Sequence, residues 1–295
     1  MRRLDTALLL WGPALYKAPA PGRRRHPNNA GSRNRGFANR PTTLLYEGIE
    51  RNISMQVALS VVVPVKDEAE NIAPLAREIA QAIGQESSAE IVFVDDGSSD
   101  ATARILTDLK TSLPQLRVIQ HGRNMGQSRG VRTGVRAARG DIIVVLDGDG
   151  QNDPADIPRL LAELRSADSA RVGLVQGQRA QRQDSMKKKV ASRLANRVRR
   201  SLLNDGATDV GCGLKAFRRD AFLALPYFDH MHRYMVALML REGFEVRFVE
   251  VNHRPRLHGQ SKYGVLDRLA AGVTDLLGVR WLQRRYRGAV ETEEL

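Results

Sequence analysis

The stretch Asp147-Gly-Asp-Gly-Gln151 sets two carboxylates one residue apart, with a side-chain amide two residues further on. Anionic groups that close repel each other unless a cation lies between them. Asp147, Asp149 and Gln151 together offer hard oxygen ligands for Mg²⁺ or Mn²⁺, ions that keep several waters and are often completed by substrate phosphates. A diphosphate is the natural partner of such a set. Two further acidic groups stand upstream, at Lys66-Asp67-Glu68 and at Asp95-Asp96-Gly-Ser-Ser-Asp100. Helix capping or turn formation accounts for Ser98, Ser99 and Asp100. For the other acids, the elements that carry them decide.

The runs at 59–65, 90–95, 117–120, 141–147 and 172–177 are continuous and rich in β-branched residues, which predicts strands buried on both faces. Amphipathic stretches at 68–84, 99–112, 126–139 and 155–167 predict helices between them. Such alternation gives a mostly parallel sheet covered on both sides, whose strands present ligand-binding residues at their carboxyl ends. Each acidic group follows a predicted strand, so all three are expected at one edge of the sheet. Gly126, Gly130 and Gly134 recur every four residues and predict a small helix face for close packing. The single cysteine, Cys212, lacks a His/Asn partnership in the sequence and is expected to be buried and inert. The spacings of His230, His232, His253 and His258 match no closed zinc site.

The 295 residues are 42% hydrophobic and 27% charged, which excludes disorder throughout, and one cysteine excludes a disulfide scaffold. With 46 basic and 33 acidic residues the net charge is +13, so a polyanionic partner is expected. Residues 1–54 alone hold ten Lys/Arg against three Asp/Glu and, rich in Pro, Gly and Asn, read as a disordered basic arm. Nucleic acid is not the expected partner. Much of the excess charge lies in that arm, and aromatics are only 5%, with none interleaved in the basic run at 186–200. No window approaches eighteen uncharged apolar residues, so no spanning helix is expected and membrane contact must be peripheral. Asp5 interrupts the short apolar opening, which argues against a secretory signal.

Four segments carry a family resemblance in order and spacing: Val62-Val-Pro-Val-Lys-Asp-Glu-Ala-Glu-Asn-Ile72, Val94-Asp-Asp-Gly-Ser98, Asn124-Met-Gly-Gln-Ser-Arg-Gly130 and Asp147-Gly-Asp-Gly-Gln-Asn-Asp-Pro154. They resemble family 2 glycosyltransferases of the GT-A fold, and within them the polyprenyl-phosphate transferases similar to dolichyl-phosphate mannosyltransferase. The resemblance covers about residues 57–285. It implies an α/β GT-A domain over 55–263. The spacing of Leu266, Leu269, Val273, Leu276, Leu277 and Trp281, with Arg280, Arg284, Arg285 and Arg287, predicts an amphipathic interfacial helix over 264–287, followed by a tail at 288–295. The resemblance also implies that Pro64, Glu68 and Asp96 hold the nucleoside of a GDP- or UDP-sugar. Gly148 belongs to the same donor site, as does Lys66, which stands where the family usually has Tyr or another base-stacking residue. Asp147, Asp149 and Gln151 are implied to hold the metal and its diphosphate.

Asp209-Val-Gly-Cys-Gly-Leu-Lys-Ala-Phe-Arg218 is similar to the family's acidic motif followed by a turn and a strand, which adds Asp209, against the transferred sugar, to the catalytic set. Arg256-Leu-His-Gly-Gln-Ser-Lys262-Tyr resembles a loop whose Arg and Lys neutralise the donor diphosphate. The run at 186–200 has seven basic and no acidic residues, with Val190, Leu194 and Val198 at helical spacing, and predicts a basic amphipathic helix of the kind that lies among headgroups. The resemblance makes this segment the acceptor element. There Ser192 and Asn196 match a Ser-x-x-x-Asn pattern, Lys188 stands where an acceptor-phosphate Arg is common, and Arg179 is a second ligand for that phosphate. The expected activity is metal-dependent inverting transfer of a mannose- or glucose-type hexose to a polyprenyl phosphate, at the cytosolic face of a membrane. Transfer to a hydroxyl of a surface glycan is the alternative.

Because residues 1–54 lack any core-forming pattern, a chain that starts at Met55 is expected to keep its melting temperature. A loss of several degrees would reveal a structured element within the arm.

Overall fold

The computed structural model describes residues 57–86, 88–166, 171–179, 199–256 and 265–288, and side chains of 265–271 are not among them. Its seven strands are β1 (Leu59–Val65), β2 (Ala89–Asp95), β3 (Leu116–Gln120), β4 (Ile142–Val145), β5 (Val172–Arg179), β6 (Lys215–Arg218) and β7 (Glu245–Val251). They form one sheet in the order β3-β2-β1-β4-β6-β5-β7. Every neighbouring pair is parallel except those made by β6, which runs antiparallel to both β4 and β5.

Helices α1 (Ala69–Ala82), α2 (Thr102–Leu109), α3 (Gln127–Ala137) and α4 (Ile157–Arg165) fill the predicted crossovers. Further helices named among the described residues are α5 (Arg219–Ala224), α6 (Met235–Arg241) and α7 (Val265–Arg285). The alternation of a strand's side chains divides the core in two. Val61, Val63 and Val65 of β1 share one cluster with Ile72, Leu75 and Ile79 of α1 and Leu160 and Leu164 of α4. Val62 lies in the other cluster, with Val131 and Val135 of α3, Phe222 of α5 and Leu238 of α6.

The glycine repeat is only partly a packing face. A side chain at Gly134 would place its Cβ 2.3 Å from Val62 Cγ1 and 3.1 Å from Val94 Cγ2, and one at Gly130 would meet Pro64 Cβ at 3.0 Å. Both let α3 lie flat on the sheet. Gly126, expected to share that face, instead stands before the helix with φ of +85°, a turn residue rather than a packing one.

The C-terminal helix is present, but its apolar residues occupy two faces rather than one. Leu276, Val279 and Leu282 pack into the second core cluster, while Val273, Leu277 and Trp281, four residues apart, are each more than half exposed. Among the described residues no helix is long and apolar enough to cross a membrane.

Gly134→Ala gives a direct check on the α3 contact. In an exposed helix the change would stabilise; here overpacking against Val62 should cost about 1–3 kcal/mol, visible as a melting temperature several degrees lower.

Candidate active site

The strand register brings the acidic groups level. Pro64 pairs with Val94 and Val65 with Asp95, while Val62 pairs with Val145, two residues before Asp147. The C-terminal ends of β1, β2 and β4 therefore meet at one edge, joined by a bond from Asp96 N to Val65 O.

At the end of β1, Pro64 is buried in the strand, Lys66 Nζ donates to Gly97 O at 2.9 Å, and Glu68 Oε2 accepts from Asn71 Nδ2 at 2.7 Å. At the end of β2 the two neighbouring acids differ in use. Asp95 closes its own turn, accepting from Ser98 N and Gln120 Nε2. Asp96 reaches across to the loop before α3, where it accepts from Met125 N and Gly126 N. His121, which the sequence did not single out, also sits on Asp96 at 2.7 Å.

The Asp147–Gln151 loop depends on close approaches. A side chain at Gly148 would meet Val65 Cγ1 at 2.4 Å, and Gly150 takes φ of +72°. Asp147 N donates to buried Asn152 Oδ1, Gln127 Nε2 donates to Asp147 Oδ1 at 2.7 Å, and Gln151 N donates to Asp149 Oδ1. Gln127 lies in one of the family-like segments, but its partner, twenty positions away, is revealed only by the fold. Beyond β7, Asn152 bridges to His253 and Arg254 N donates to Gln151 O, so residues 252–256 run alongside the loop. That path brings the Arg256 guanidinium onto Asp149 Oδ2.

Burial, and then the charge of Asp149, push the Asp147 carboxyl up to about 6, although Lys215, Arg179 and the bond from Gln127 pull the other way. A divalent cation between the two carboxylates would offset both the burial and the repulsion. Among the described residues no three His, Cys, Asp or Glu side chains gather to hold a metal. A cation at Asp147 and Asp149 would take its remaining ligands from Gln151, water and substrate oxygens. The oxygen-only donor set fits Mg²⁺ or Mn²⁺.

Asp209 and Arg179, assigned separate tasks by the sequence, meet each other: Arg179 Nε and Nη2 donate to the two Asp209 oxygens at 2.6 and 2.7 Å. The loop from Asp209 ends at Gly213, which lies against Asp147. Next to it, Lys215 Nζ donates to Cys212 O in the interior, where burial pushes its ammonium below the usual lysine range. Cys212 is buried as expected, and burial pushes its thiol up. Lys188, Ser192, Asn196 and Lys262, with most of the 186–200 run and the whole 1–54 arm, lie outside the described residues.

Carboxylates gathered at the C-terminal edge of a mostly parallel sheet lie where open α/β sheets bind their ligands, and comparison with solved structures defines the fold further. A mannosyltransferase from Pyrobaculum calidifontis, in complex with GDP-Man and Mn²⁺, matches with a TM-score of 0.57 at 19% identity, over 81% of this chain and 67% of that one. Glucosyl-3-phosphoglycerate synthase from Mycobacterium tuberculosis, in complex with Mn²⁺, UDP-glucose and phosphoglyceric acid, matches with a TM-score of 0.55 at 18% identity, over 77% and 79%. The fold is therefore GT-A. The sequence profile of glycosyl transferase family 2 matches residues 60–225, and the chain belongs to that family. Dodecaprenyl-phosphate galacturonate synthase from Rhizobium johnstonii is 34% identical over 234 residues, 77% of this chain and 67% of the relative. Undecaprenyl-phosphate 4-deoxy-4-formamido-L-arabinose transferase from Edwardsiella ictaluri is 37% identical over 216 residues, 70% of this chain and 63% of the relative.

The raised Asp147 has a thermodynamic consequence. A carboxyl that holds its proton more tightly when folded contributes stability below about pH 4, and that contribution is lost as pH rises through about 6. Keeping Asp147 ionised at neutral pH costs roughly 3 kcal/mol. In EDTA at pH 7.5, Asp147→Asn should therefore melt several degrees above the wild type, and the difference should vanish near pH 4. Mn²⁺ should raise the melting temperature of the wild type alone.

Proposed function

We propose that the chain is a metal-dependent inverting glycosyltransferase that moves a hexose-type sugar from a GDP- or UDP-sugar to a polyprenyl phosphate. The observation that carries this reading is the Asp147–Asp149 pair at the same sheet edge as Asp96 and Glu68, with the Asp147 carboxyl pushed up by burial and by the charge of Asp149. Both curated relatives are named as polyprenyl-phosphate sugar enzymes, and two solved neighbours hold Mn²⁺ beside a nucleotide sugar.

In this reading Pro64, Lys66, Glu68 and Asp96 hold the nucleoside, while Gly148 lets the loop lie close to the diphosphate. Bound Mg²⁺ or Mn²⁺, held by Asp147, Asp149 and Gln151, would neutralise charge on the leaving diphosphate. Arg256 and Lys262 add fixed positive charge at the same place. A phosphate oxygen of the acceptor forms the new bond to the anomeric carbon as the bond to the diphosphate breaks, which inverts that centre. A phosphate acceptor is already ionised at neutral pH, so no strong base is required. A hydroxyl acceptor would require one, and Asp209 has both oxygens engaged by Arg179. Asp209 orients the sugar or acceptor, and Arg179, Lys188, Ser192 and Asn196 receive the acceptor phosphate.

Docking at the cytosolic face of a membrane would use the exposed stripe Val273, Leu277 and Trp281, followed by Arg284 and Arg285 at the helix end. An interfacial Trp beside Arg suits a headgroup boundary. Residues 55–263 then act as the catalytic domain, 264–287 as its interfacial helix and 1–54 as an appended arm.

A panel of GDP- and UDP-sugars, incubated with purified protein, Mg²⁺ or Mn²⁺ and short polyprenyl phosphates, tests the whole reading. Labelled sugar should pass to the organic phase with one nucleotide class, and both EDTA and Asp149→Asn should abolish transfer. Full activity in EDTA would remove the metal from the reaction. Label appearing only on added oligosaccharide would replace the lipid acceptor with a hydroxyl.

A further inference from the structure

Asp96 is held from three sides. Met125 N donates to Oδ1 at 2.9 Å, Gly126 N donates to Oδ2 at 2.8 Å, and His121 Nδ1 lies 2.7 Å from Oδ1. A carboxylate gripped by two backbone N–H groups accepts from the ring as well, so the network assigns the proton to Nδ1. In the neutral imidazole Nε2 then accepts from Thr133 Oγ1, 2.9 Å away. Asp96 follows β2, His121 follows β3 and Thr133 lies on α3, so this relay ties three elements to one carboxylate.

The relay also limits what Asp96 can still do. An ionised carboxylate offers about four lone-pair sites, and the three N–H groups occupy all but one of them. The remaining site is on Oδ2. Only 7% of the Asp96 side chain and 13% of the His121 side chain stay exposed, which restricts the direction of approach.

We propose that His121 is a positioning residue of the nucleotide site, which aims the last lone pair of Asp96 at a base presenting a single imide N–H, as uracil does. The proposal rests on the nucleotide-sugar reading above and sharpens it. Guanine presents two adjacent donors, its ring N–H and its exocyclic amine, which pair best with both oxygens of one carboxylate. Here Oδ1 is already taken twice, by Met125 and His121. His121 acts through Asp96 and does not touch the nucleotide.

Two substitutions separate this role from simple loop stability. Asparagine places its amide nitrogen where Nδ1 stands, and glutamine places its own where Nε2 stands. His121→Asn therefore keeps the bond to Asp96, while His121→Gln keeps only a partner for Thr133. Calorimetric titration of the full chain with UDP and with GDP in Mn²⁺, alongside melts without nucleotide, gives the readout. Wild-type protein should bind UDP about tenfold more tightly than GDP; His121→Gln should lose about tenfold in UDP affinity, and His121→Asn should recover most of it. Unchanged UDP affinity in His121→Gln, or equal losses in both variants that track their melting temperatures, overturns the positioning role and leaves the nucleotide-sugar reading standing. GDP bound as tightly as UDP overturns the single-donor assignment. Wild-type protein that binds neither nucleotide overturns the nucleotide-sugar reading and this proposal with it.

Discussion

Two carboxylates held one residue apart at the end of a buried strand repel each other, and burial removes much of the water that would screen them. Asp147 and Asp149 are in that position, and the elements around them answer to it. The 252–256 segment runs beside the loop and lands Arg256 on Asp149, α3 begins where Gln127 can donate to Asp147, and the interior Lys215 lends its field from below. Together they do not offset burial and that repulsion, which hold the Asp147 carboxyl near 6. A bound cation would favour the ionised form of Asp147 that burial disfavours.

The same edge of the sheet shows how differently neighbouring acids can be used. Asp95 and Asp96 are adjacent, yet the alternation of side chains along a strand sends one into its own turn and the other toward the loop before α3. At the opposite end of the strands, Glu90 is also buried. Burial pushes its carboxyl up, but bonds from Arg139 N, Ser60 and Arg117 more than offset this and hold it below the usual range. Neighbours outweigh burial at Glu90 and do not at Asp147.

The first five strands and first four helices were legible in the sequence because buried parallel strands read as unbroken apolar runs and their crossover helices as 3.6-residue periodicity. The strands of the second half gave weaker signals. β6 is four residues long and begins with a buried lysine, and β7 is an edge strand carrying Glu245, Arg247 and Glu250, so neither offers a hydrophobic run. Asp147, Asp149 and Asp96 were visible because each follows a strand. The bonds of Gln127 and His121 were not, because their partners lie twenty or more residues away and only the sheet brings them together. The Arg179–Asp209 pair was half visible: both residues drew attention, but nothing in their spacing showed that each occupies the other.

Gly213 carries no functional group, yet a β-carbon there would fall 2.2 Å from Asp147 Oδ2 and 2.7 Å from Asn152 Oδ1. Even alanine could be admitted only by displacing the carboxylate. The position of that carboxylate is therefore set in part by a missing atom. A variant here would look like a neutral change on paper, yet it would move the Asp147 carboxylate.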